Sequence, residues 1–326
     1  MRNAENKKSS DNGILSHKTY VHKQEKKMLF HVYRYQLPLV NGIIDEPSLN
    51  SEHLSAQESK KQKNRIFAKY LKDICGQLNA LTEGKYSALF IAEQENLLFV
   101  RIGKKATTSL TDISLTKSHK EEHYNHQIIL IFDNDPNKQI LAVEKSGYIK
   151  FSTLEKSFLK VLKLKLESAF LTLECQPISS SKNFWQIIDN ENNKITSLKF
   201  TVFAENMASD IKEVANIVSD IRGIMKADQS SFQSEAKNGL NIEHSNQAVD
   251  AMHKCSQSGL GNLILFGTDS NDKKPKKLFD SSSPKLADSF SIENQEIEKL
   301  IKTVEINQRV INELISKFNQ WKIEQK

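Results

Sequence analysis

Three histidines, His119, His123 and His126, are spaced by four and then three residues. On an α-helix this spacing would bring the imidazoles to one face, a geometry that zinc accepts, with Glu122 beside them as a base. However, the stretch from Lys117 to Gln127 is polar all round. A helix with no apolar stripe has nothing to bury, so a solvated His-rich loop without metal is the preferred expectation. A second constellation is acidic. Asp133, Asp135 and Glu144 could line a Mg²⁺ or Mn²⁺ site of a nuclease at the end of a hairpin. Nuclease centres of the restriction type place one residue between a glutamate and a lysine, so that both side chains share a strand face. Here Glu144 and Lys145 are adjacent, which sends them to opposite faces. Asp133-Asn-Asp-Pro-Asn137 is therefore expected to be a tight turn.

The remaining chemistry is basic. Arg101, Lys104 and Lys105 form one cluster in the sequence, and Lys156, Lys160 and Lys163 form another at helical spacing. Both are candidates for contact with the phosphates of DNA or RNA. Tyr33-Arg34-Tyr35 mixes aromatic and cationic groups in a strand-like run, as proteins that hold single strands do. The competing readings are a solvated lysine face and a buried strand. Ser258-Gly-Leu-Gly261 resembles a fragment of a phosphate loop, but its flanking elements run from helix to strand, the reverse of the order such loops need. A glycine-assisted chain reversal is expected there. No nucleophile, base and orienting group can be placed together from the sequence.

The composition is compatible with a polyanionic partner, against the simpler reading of a Lys-rich solvated surface. The chain has 326 residues, a net charge of +6 and a pI near 8.9, a mild excess that favours polyanions. Its length fits about two domains. Cys75, Cys175 and Cys255 are widely separated and odd in number, so reduced thiols in a cytoplasm are expected, with no disulfide framework and no cofactor. No apolar run is long enough to cross a membrane as a helix. Residues 1–27 read as a disordered basic arm, with Met28 as an alternative start.

These candidates must be positioned by a mixed set of elements. Leu29–Leu37 reads as a strand. Ile66, Phe67, Tyr70, Leu71, Ile74, Leu78 and Leu81 recur as on a helix. Tyr86–Ala92 with Leu97–Ile102, and Gln127–Phe132 with Ile140–Glu144, read as hairpins. Ser152-Thr-Leu-Glu155 matches a capping box opening a helix to about Leu173. Phe184–Ile188 and Ile195–Phe203 read as extended, Ile211–Met225 and Asn246–Cys255 as helices, and Asn262–Phe266 as a strand. Hairpins that do not alternate with helices point to α+β architecture with antiparallel sheets. The expected division is an N-terminal α+β domain (28–175), a second one (183–267), a Lys/Pro/Ser linker (268–288) and a C-terminal helix (289–326).

That last helix carries a heptad pattern. Ile297, Leu300, Val304, Asn307, Ile311, Leu314, Phe318 and Trp321 alternate by steps of three and four. The stripe must be buried, either against the chain itself or in a homo-oligomer or a partner protein.

Three segments carry a family resemblance. They are Phe30–Pro38, Phe184–Ile188 with Ile195–Phe203 and Glu205-Asn-Met207, and Gly259–Gly267. Together they resemble an uncharacterised bacterial family associated with mobile elements and phage-defence regions, over roughly residues 28–267. Glu205 stands where the family usually has proline. The resemblance implies a cytoplasmic bacterial protein working with nucleic acid in defence, and it carries no functional residue. The expected role is a non-catalytic component that binds nucleic acid or a partner and assembles through its C-terminal helix. The alternatives are the metal-dependent nuclease and a structural scaffold.

Overall fold

The aromatic run of the first strand is buried on both faces because side chains alternate along it. In β1 (Lys27–Gln36), Tyr33 and Tyr35 enter one core, while Phe30 and Val32 enter another. A computed structural model of the chain describes residues 27–38, 40, 56–82, 85–111, 118–179, 183–190, 193–202, 230–269, 272–293, 297 and 308–321. The architecture is α+β with antiparallel sheets.

The larger sheet has seven strands. Its main order is β11 (Ser289–Glu293), β1, β5 (Ile140–Glu144), β4 (Ser118–Asp133), β3 (Leu97–Thr111) and β2 (Tyr86–Gln94). β6 (Glu174–Pro177) also pairs with β1, beyond the end of β11. On one face lies α1 (Ala56–Leu81), whose Phe67, Leu71, Ile74 and Leu78 are fully buried at steps of four, three and four. Each such side chain removed from water is worth about 1.5–3 kcal/mol. Beside α1 runs a helical stretch made of α2 (Phe151–Leu154), a π turn (Glu155–Leu159) and α3 (Lys160–Glu167). The wide turn lets the adjacent Phe158 and Leu159 both reach the core.

The smaller sheet runs β10 (Asp272–Asp280), β9 (Gly261–Asp269), β7 (Lys194–Val202) and β8 (Ser230–Glu235). α4 (Asn183–Ile188) and α5 (Gln247–Gln257) supply its helical cover. Asn246 caps α5, its side-chain oxygen accepting from the N–H groups of Ala248 and Val249.

Several expectations need correction. The stretch 268–288 is not a linker. It holds β10, whose Lys274-Pro-Lys-Lys277 is exposed on an edge strand, and a short 3₁₀ turn, Pro284–Leu286. The first body is therefore discontinuous, because the chain returns to it in β11 after building the second sheet. Phe184–Ile188 is helical rather than extended. The capping box is not formed. Lys150 is the N-cap, it makes no side-chain cap hydrogen bond, and the helix stops at Glu167. The segment 211–225 lies outside the described residues.

The C-terminal helix α6 (Gln308–Asn319) packs on the opposite face of the large sheet. Of the heptad positions, Ile297, Ile311, Leu314 and Phe318 are buried in the chain's own core, and Trp321 packs against it. Leu300, Val304 and Asn307 lie outside the described residues. The described part of the stripe thus packs within the chain, one of the two burials the pattern allows. Val310, one of the apolar positions beside the seam, is also fully buried.

Candidate nucleic-acid interface

The β3–β4 hairpin outruns the sheet that holds its base. β2 stops pairing with β3 at Tyr86↔Lys104, and β5 pairs with β4 only from Leu130 to Asp133. β3 and β4 continue to pair as far as Thr111↔Ser118. The distal part is a two-stranded ribbon, about 23 Å long at ~3.3 Å per residue. A bulge marks its foot, where Lys104 pairs with His126 but Ala106 pairs with His123. The extra residue on β4 increases the local twist as the ribbon leaves the sheet.

Tyr86, Lys104 and His126 form a row across three strands at this foot. Ile102 and Ile128, two residues nearer the core, are buried on the face covered by α1. By alternation, Lys104 and His126 continue that face outwards past the helices. The His126 ring stacks on Tyr148, with centroids 3.8 Å apart and planes inclined by 11°. Tyr148 comes from the loop between β5 and α2. The Ser146 hydroxyl accepts hydrogen bonds from the N–H groups of Tyr148 and Ile149, at 3.1 and 3.5 Å, and buried Ile149 anchors the loop. Lys145 and Lys150, both exposed, flank Tyr148 in sequence. The structure thus joins a basic-aromatic loop to the predicted Lys104. The local signal in the sequence was Lys145-Ser-Gly-Tyr-Ile-Lys150, an aromatic residue between two lysines in a turn.

The other predicted cations are distributed differently. Arg101 and Lys105 lie an odd number of residues from Lys104 on the same strand, so alternation sends them to the opposite face. Burial lowers the Arg101 pKa from its ordinary value. Lys156 and Lys160 are exposed on the helical stretch, but Lys163 pairs with Glu174 at 2.7 Å. Glu155 also sits beside Lys156, so this helix presents mixed charge rather than a cationic stripe. Tyr33, Arg34 and Tyr35 are all buried and offer no stacking surface.

The histidine spacing falls on a strand rather than a helix or loop. Along β4, His119 and His126 are about 23 Å apart in extended backbone, so the one-face argument does not hold. The side chains of His119 and His123 lie outside the described residues. Among the described residues, no group of three or more His, Cys, Asp or Glu is placed to hold a metal ion.

The acidic trio is divided. Asp133 pairs with Ile140 at one end of β5, whereas Glu144 occupies the other end, about 13 Å away along the strand. Asp133 is 1% exposed and bonded to the Lys138 ammonium at 3.2 Å; Asp135 lies 3.7 Å from the same ammonium. Burial raises the Asp133 pKa above its ordinary value, opposed by Lys138 and by the Asp135 N–H. Around them, Asn64 and Asn134 exchange side-chain hydrogen bonds with each other's carbonyls, and Gln139 donates to the Asn64 side chain. This is a satisfied polar plug tying α1 to the β4–β5 turn. Glu144 instead accepts from the Ile129 N–H at 2.9 Å, and burial raises its pKa.

Comparison with protein-family models, curated proteins and solved structures finds no match to this chain. Among the described residues, no helix is long and apolar enough to cross a membrane.

Proposed function

We propose that this chain is a non-catalytic nucleic-acid-binding protein that grips phosphates through lysines at the foot of the β3–β4 ribbon. The observation that carries the reading is the grouping of exposed Lys104 with the Lys145–Lys150 loop, where a two-stranded ribbon leaves its sheet. Phosphate contacts by lysine release condensed counterions, which makes affinity fall steeply with salt. The net charge of +6 adds long-range attraction. In a phage-defence setting, which the family resemblance implies, such a module would capture nucleic acid for a partner.

Fluorescence anisotropy of the full chain with labelled single-stranded DNA, single-stranded RNA and duplex DNA tests this across a salt series. Binding should weaken as salt rises. Replacing Lys104, Lys145 and Lys150 together by glutamate should lower the slope of log K against log salt by roughly 2–3. No binding, or binding indifferent to salt, would overturn the proposal.

A further inference from the structure

We infer that Tyr148 is a stacking platform for an unpaired base, so that the preferred ligand is single-stranded nucleic acid. This rests on the nucleic-acid reading above and narrows it. Tyr148 is 67% exposed, more than any other large apolar or aromatic side chain among the described residues. A lone exposed aromatic is ordinary on a protein surface, but this ring is stacked on a histidine and flanked in sequence by two exposed lysines. One face of Tyr148 is backed by the His126 imidazole, leaving the opposite face for a ligand. A Cβ added at neighbouring Gly147 would meet nothing within 4 Å, so the loop faces open space at that residue.

The ring is also held in advance. The Ser146 hydroxyl fixes the loop backbone, Ile149 is seated in the core, and the histidine stack restricts the ring itself. A ligand therefore loses little to ordering the site. Every base has a π face, so stacking of this kind tolerates sequence while lysines track the backbone. A duplex hides those faces between its own base pairs and could use only the lysines. The chemistry therefore favours splayed bases, with phosphates reaching Lys104, Lys145 and Lys150.

The test compares a labelled oligo-dT, an oligo-U and a blunt DNA duplex against the full chain and two variants, by anisotropy at fixed moderate salt. The native chain should prefer the single strands. Tyr148→Ala should weaken single-strand binding about tenfold or more while leaving duplex binding and the thermal melt unchanged, and Tyr148→Phe should retain native affinity. Loss in Tyr148→Ala with retention in Tyr148→Phe separates ring stacking from a hydroxyl contact. Equal binding by Tyr148→Ala and the native chain, or a preference for duplex, would overturn this inference and leave the phosphate-binding proposal standing. Absence of binding to all three ligands would overturn both.

Discussion

Arg34 is 1% exposed, and its guanidinium donates to the carbonyls of Ser258, Lys138 and Trp321. Those carbonyls belong to the turn after α5, the β4–β5 turn and the end of α6, so one side chain joins three parts of the chain. Hydrogen bonds to a charged donor are worth about 1.5–3 kcal/mol each, and a buried carbonyl left unsatisfied costs about 1–3 kcal/mol. Arg34→Met should therefore lower the stability by about 3 kcal/mol or more in urea titration, and Arg34→Lys should not restore it, because an ammonium cannot reproduce the planar fork. Gly259 lies against this site with φ +72, and a Cβ there would stand 2.8 Å from the Arg34 Cβ. The Ser258-Gly-Leu-Gly261 segment is thus a close-approach turn between helix and strand. Glu144 gives a prediction with a sign. Burial raises its folded pKa above the ordinary 4.5, so the ionised form opposes folding once the pH exceeds that value. Stability from this group is fullest below the unfolded pKa and declines as pH rises through the folded one. Glu144→Gln keeps an acceptor for the Ile129 N–H and should raise the melting temperature at pH 7. The gain should shrink as the pH falls through 4.5, and a gain independent of pH would refute the assignment.

At the scale of elements, the strongest periodic signals were legible and the weakest were not. The α1 stripe, the two hairpins and α5 follow from apolar spacing and turn residues, because burial enforces their period. The heptad stripe of α6 announced burial but not its partner, since an intrachain sheet and a second helix demand the same apolar face. β10 was hidden because an edge strand tolerates the lysines and proline that also mark a linker. Ser281, in the same Ser-rich stretch, is 2% exposed, and its hydroxyl accepts from the Leu263 N–H at 2.8 Å. Of the binding site, Lys104 was visible as a charge, but its grouping with Tyr148 depends on the stack between its strand partner His126 and a ring of the β5–α2 loop. No local pattern encodes that contact. The packing of α6 is directly testable. Leu314 is fully buried, and Leu314→Ala should cost about 2–5 kcal/mol while leaving the solution mass unchanged. A change of oligomeric state with little loss of stability would instead place this face between chains.

Across the whole molecule, the order of the strands makes the first body depend on the last part of the chain. β1 pairs with β5 on one side and with β11 and β6 on the other, and β11 is made only after the second sheet is complete. The core between the sheet and α6 needs Phe290, Ile292, Val310, Ile311, Leu314 and Phe318, all buried. At roughly 1.5–3 kcal/mol per side chain, losing these six would forfeit about 9–18 kcal/mol. A typical folded chain has a net stability of only about 5–15 kcal/mol, so the loss is comparable to the whole. A chain ending at Asp288 would also uncover Phe30, Val32, Phe99 and Ile131 on the sheet face. It should bind the dye ANS strongly, self-associate by light scattering and lack the cooperative melt of the full chain. A truncated chain that melts cooperatively and leaves the dye dark would show that α6 and β11 are accessories, and that the large sheet is stable with one face bare.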